Sequence, residues 1–144
     1  MKHTLKLIVH TGMLLSLAII ALAACTSNPS EKSRGETFKQ YETIIRWSQW
    51  DAAADFISVE YQKEHPITRL ELDRLRLFKV TAYTVRSMGV FDEGMTARQG
   101  VEIKMFNKTQ GVERTIIDEQ EWRYNEETQL WKLHSGLPDP TKRY

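Results

Sequence analysis

Apolar residues come in three textures along the chain. Residues 7–24 form an uncharged run, most apolar from Met13 to Ala24. After a polar gap, Phe38, Tyr41, Ile45, Ser48 and Ala52 recur at helical spacing, and Ile44 and Trp47 widen the stripe. That period predicts a helix over residues 36–55 with one broad buried face carrying Trp47 and Trp50. Ser33 followed by Glu36 offers it a capping box. The gap itself, "TSNPSEKSRG" over residues 26–35, holds Pro29 and Gly35 and no apolar period, and so reads as a flexible tether.

Ser58 opens a short polar segment that must leave helical geometry before Pro66, and Thr68 with Glu71 can cap one or two further turns. The third texture begins near residue 75, where branched and aromatic residues crowd the chain as they do in strands. Residues 75–91 end on the turn signal Asp92-Glu93-Gly94. Residues 97–107 then set Val101, Ile103 and Met105 against Glu102 and Lys104 before "NKTQG" turns the chain. Residues 112–124 and 130–136, separated by "NEETQ", complete four strands joined by short turns. Such strands make an antiparallel meander, and the amphipathic helix has only that sheet to lie on, which gives an α+β domain over residues 36–138. The last six residues are expected to be loosely ordered.

Composition fits this picture: 144 residues with 41% hydrophobic and 27% charged positions suit a single globular domain. Lys2 and Lys6, the apolar run and the small residues before Cys25 have the three-part layout of an export signal. A membrane span is the competing reading, but His10, Thr11, Gly12 and Ser16 interrupt the run, and its clean part falls short of the roughly 20 apolar residues a span needs. Leu22-Ala23-Ala24-Cys25 resembles the bacterial lipobox, in which the cysteine sulfur receives a diacylglyceryl group, the signal is cut before it and the new amino terminus is acylated. That resemblance implies a lipid anchor on Cys25. Thr26, standing where inner-membrane lipoproteins of enteric bacteria usually carry aspartate, implies the outer membrane and a domain facing the periplasm.

Without Lys2 and Lys6 the formal net charge of +1 becomes −1, so neither nucleic acid nor a polybasic grip on lipid is expected. Cys25 is the only cysteine, which leaves a lipidated chain without disulfides, a thiolate metal site or a cysteine nucleophile. The helix carrying "RWSQWDAAADFISVEYQ" and the meander closing on "EQEWRYNEETQLWKLHSGLP" resemble the nuclear-transport-factor-2-like, or cystatin-like, fold, as found in small lipoproteins of proteobacteria. The further helix that such folds often insert between strands has no place here, which implies a pocket that is shallow or missing. That fold hosts enzymes, carriers and scaffold modules, and so does not decide function.

Strand parity selects the candidate chemistry. If Trp122 and Tyr124 point inward with Ile116, Asp118 and Gln120 do so too. An acid and an amide among apolar neighbours could serve proton transfer, with Tyr83 or Arg86 completing the site, although both faces of the first strand carry apolar residues and leave its parity open. The plainer expectation is that a twisted sheet overhangs its helix and leaves Asp118 and Gln120 in water. With Trp131, Leu133 and Ser135 facing in, His134 is expected outside beside Lys132. His65 has no second ligand at metal spacing, so no metal or cofactor is expected. Asn107-Lys108-Thr109 fits a glycosylation acceptor but also a hairpin turn. Most of the four tryptophans are expected in the core, while one or two of Trp122, Tyr124 and Trp131 could instead line a ligand or partner surface. No phosphate loop or nucleophile elbow is present. The resulting expectation is a membrane-anchored periplasmic module that binds a protein partner or a small apolar ligand. The alternative is a small hydrolase or isomerase with Asp118 as general base.

Overall fold

The computed structural model describes residues 29–142; the apolar run, Cys25 and Thr26 lie outside them. The apolar stripe forms helix α1, Pro29–Arg46, which starts earlier and stops sooner than its period suggests. Proline suits a first helical position, where its missing N–H has no partner to lose. Residues 29–35, expected in the tether, are therefore helical, and Ser30 is buried with its carbonyl accepting the Trp131 indole N–H at 2.9 Å. Ser33 lies within the helix and bonds to the Ser30 carbonyl instead of capping.

The stop comes from Ser48, which takes a left-handed φ of 57°. Its N–H reaches the Ile45 carbonyl while the Gln49 N–H reaches the Ile44 carbonyl, the bond pair of a Schellman ending. The Ser48 hydroxyl then accepts the Val80 N–H at 2.8 Å and ties this ending to the sheet. The turn throws Trp47 outward, 75% exposed, where the stripe had placed it in the core. Trp47→Ser is accordingly expected to change unfolding free energy by less than about 0.5 kcal/mol in a urea titration, the ordinary range for a surface position; a larger loss would mean that the ring is packed.

Three short helices come next: α2 (Trp50–Ala54), α3 (Val59–Glu64) and α4 (Arg69–Leu75). Thr68 caps α4 by accepting the Glu71 N–H, as its spacing predicts, and Ser58 caps α3 by accepting the Tyr61 N–H. The sheet is an antiparallel meander in the order β1-β2-β3-β4, with β1 Phe78–Phe91, β2 Thr96–Asn107, β3 Val112–Asn125 and β4 Leu130–Leu133. The fold class is α+β, as the sequence implies. The hairpin after β2 is an Asx turn, with Asn107 Oδ1 accepting from the N–H groups of Thr109 and Gln110. Beyond β4, the Ser58 N–H and the Phe56 carbonyl bond both sides of Leu133 and cover that edge.

Strand β1 has two register shifts against β2, at Thr81 and at Arg86. Each bulge reverses the inward parity of the residues after it, which is why both faces of the strand look apolar in sequence. Beside the second shift the Ser87 hydroxyl accepts the Gly100 N–H at 3.2 Å, a close approach that a Cβ on Gly100 would block at 2.7 Å. Helix α1 lies on the inner face, where Tyr41, Ile45, Trp50, Ile103, Met105, Trp122 and Leu133 form the core. The outer face carries charge, with Arg86 paired to Glu102 and Glu121 shared by Arg98 and Arg123. The tail is better held than expected: Pro140 is buried and its carbonyl accepts from Arg114 at 3.1 Å.

Candidate functional site

Along β3 the side chains of Ile116, Asp118, Gln120 and Trp122 all turn inward and are buried. The expectation that the acid and the amide stand in water is thus corrected: Asp118 is 9% exposed and Gln120 2%. Tyr41 of α1, fully enclosed, packs on Trp122 in this row and lies near enough to Asp118 for that charge to raise its phenol. The Gln120 amide joins the cluster together. Its Nε2 donates to Asp118 Oδ2 at 2.7 Å and to the Tyr83 hydroxyl at 3.2 Å, while its Oε1 accepts the Trp122 indole N–H at 3.2 Å. Tyr83 is, with Val85, one of the two inward residues of β1 between the two bulges. Arg86 does not belong to the cluster, because the second bulge puts it on the outer face with Glu102.

The electrostatics come from burial. Loss of solvent pushes the Asp118 carboxyl up to about 6, against the stabilising hydrogen bond from Gln120. Burial likewise raises the Tyr83 and Tyr41 phenols, with the Asp118 charge adding to each. The Tyr41 hydroxyl, fully enclosed, has no hydrogen-bond partner among the described residues. A buried donor left in this way beside a buried carboxyl marks the cluster as polar interior that packing alone does not explain.

The cluster opens toward a groove of about 460 Å³ between α1 and the sheet. Its floor is Tyr83, Val85, Met88 and Gln99, its wall is Phe38, and Gly35 stands at its side. The volume lies within the roughly 300–1,000 Å³ of small-molecule sites. Asp118 does not border this space; Tyr83 does, and Gln120 stands between them. Sequence reading missed Val85, Met88 and Gln99 because the two bulges that turn first Val85 and then Met88 inward carry no signal of their own.

The other candidates go elsewhere. Trp122 is enclosed by Phe38, Tyr41 and Phe56, and Trp131 by Phe38 and Tyr124, so these rings belong to the core and not to a ligand surface. His134 is half-buried, not solvated, with Nδ1 3.3 Å from the Ser58 hydroxyl, and burial lowers its pKa. Ser58 is itself buried and caps α3, so it is closed to a substrate. His65 stacks on Tyr61 at 4.6 Å. Among the described residues no group of three or more histidines, cysteines or acids could hold a metal ion, and no helix is long and apolar enough to cross a membrane.

Comparison with protein-family models, with curated proteins and with solved structures finds no match to this chain. What the site can do is therefore decided by its own geometry.

Proposed function

We propose that this chain is a lipoprotein of the bacterial envelope, anchored through Cys25 at the outer membrane. Its α+β domain, of the cystatin-like type, binds a small ligand with an apolar body in the groove between α1 and β1–β2. The observation that carries this reading is the inner-face pair Val85 and Met88, which stays about half exposed where a core would cover it. The outer face gives little support to an apolar protein partner, because its central positions are taken by the Arg86–Glu102 and Arg98–Glu121–Arg123 pairs.

A second reading, an enzyme with Asp118 as general base, is favoured by the carboxyl pushed up to about 6. Yet Asp118 Oδ2 is already taken by Gln120. Through Gln120 it orients the Tyr83 hydroxyl, which is one of the polar groups at the groove. That arrangement suits holding a ligand's polar end better than taking a proton from it.

Native mass spectrometry of the full lipidated chain in mild detergent tests the binding reading. The wild type is expected to carry a reproducible added mass beyond its anchor. Gly35→Leu should lose that mass, since the new side chain reaches across the groove and meets nothing within 4 Å at its Cβ. The same change should raise helix stability by up to about 1 kcal/mol. A wild type with no added mass would count against the groove as a binding site.

A further inference from the structure

We infer that the groove takes an acyl chain of a zwitterionic bilayer phospholipid, drawn from the leaflet in which Cys25 is anchored. This deepens the reading above and rests on both its lipid anchor and its groove.

Covalent reach limits where the domain can stand. Four Cα steps separate Cys25 from Pro29, which allows at most about 14 Å. Pro29 begins α1, and Glu31, Arg34 and Gly35 of its first two turns border the groove. The start of the helix is fixed to the sheet by the Trp131 bond to the Ser30 carbonyl, and the Arg34 guanidinium stands 5.9 Å over the Trp131 ring. A lipid on Cys25 therefore brings the bilayer surface to the end of the domain where the groove lies.

The apolar surface there has the shape of a track. Val85, Met88 and Val90 stand opposite Val101, Gln99 and Ala97, all on the inner face, and each of the three is more than 40% exposed. Because of the bulge at Arg86 they match four steps of β2 and extend for about 13 Å. The track starts against Phe38 and Tyr83 and runs toward the β1–β2 turn. A linear hydrocarbon chain matches it, and burying that chain would remove the exposed apolar surface at the same time.

The rim selects the head. It carries Arg34 and Lys39 together with Glu31 and Glu42, and Glu42 is also met by Arg46 at 3.4 Å. A purely basic rim would select an anionic lipid. A rim of both signs fits a headgroup with a phosphate and an ammonium, the phosphate meeting Arg34 or Lys39 and the ammonium meeting Glu31.

The test is photocrosslinking of the full lipidated chain in vesicles of phosphatidylethanolamine that carries a diazirine in one acyl chain. Lipid-mass adducts are expected on the segments with Phe38 and Val85–Val90. In Gly35→Trp they should fall to the level found around Lys108, at the opposite end of the sheet. Adducts confined to residues 26–30 would overturn the acyl assignment while leaving the anchor intact. A water-soluble added mass in the native spectrum, with no adduct in the groove, would also overturn it but leave groove binding standing. Labelling of the groove only when the diazirine is incorporated metabolically into the Cys25 anchor would assign the space to the chain's own lipid and overturn the phospholipid source. A chain that fails to float with the vesicles would overturn the anchor, and the inference with it.

Discussion

Trp122→Ala is expected to lower the unfolding free energy by about 3–5 kcal/mol, the range for removing a fully enclosed indole from a core. The ring has no exposed surface. It lies 4.9 Å from Phe38, 5.1 Å from Tyr41 and 6.3 Å from Phe56, so it joins α1, the segment after α2, and β3. Deleting it removes the transfer energy of the ring and leaves a cavity that these three elements cannot close without moving. It also strips Gln120 Oε1 of the indole N–H and leaves it only the longer contact from the Tyr83 hydroxyl at 3.5 Å, a further loss of about 1 kcal/mol. Trp122→Phe separates the two contributions, since it keeps most of the packing and loses only the hydrogen bond. Urea unfolding followed by circular dichroism would measure both. Since small domains hold only about 5–15 kcal/mol in total, the alanine variant should sit near the edge of folding. A loss below about 1 kcal/mol would mean that the ring is not enclosed and that the inward parity of β3 is wrong.

Legibility in the sequence divides along a physical line. Strong periods were readable: the stripe through Phe38, Tyr41 and Ile45, the alternation in β2 and β3, and the cap at Thr68 all form as their spacing predicts. These features depend on local chemistry and on one face meeting one core. The end of α1 at Arg46 was not readable, because the left-handed cap falls on Ser48, where glycine would have signalled it. Its consequence was the misplacing of Trp47. The start at Pro29 was hidden in the same way, because its stabilising partner, Trp131, lies 101 residues beyond Ser30. The groove was the least legible part. It exists because two single-residue bulges in β1 turn Tyr83, and then Met88, toward the helix, and neither Thr81 nor Arg86 announces a bulge. Burial of Asp118 likewise depends on which elements cover its part of the inner face, a tertiary quantity that strand parity cannot supply.

That burial leads to the second large effect. Asp118→Asn is expected to stabilise the protein above pH 6 and to leave it unchanged near pH 4. The folded-state carboxyl is pushed up to about 6 by burial, above its ordinary value of 3.8 in the unfolded chain. Below the lower value both states hold the proton, and the group costs nothing. Between the two values the unfolded chain releases its proton while the folded chain keeps it, so stability falls as pH rises. Above about 6 the folded carboxyl ionises as well, and the loss levels off at about 3 kcal/mol for a shift of this size. Asparagine cannot ionise, and its carbonyl can still accept from Gln120 Nε2, so the variant should escape the whole loss. The quantity to measure is the difference between the variant and wild-type urea unfolding free energies from pH 4 to 8. Taking the difference removes the opposite slope of Glu121, whose carboxyl is held down by its Arg123 hydrogen bond and which both proteins share. A difference that rises through pH 4–6 and then flattens is the expected shape; a flat line would mean that Asp118 is hydrated in the folded state. Because asparagine keeps the bond from Gln120 Nε2, Asp118→Asn should remove the pH dependence while leaving Gln120, and through it the Tyr83 hydroxyl, in place.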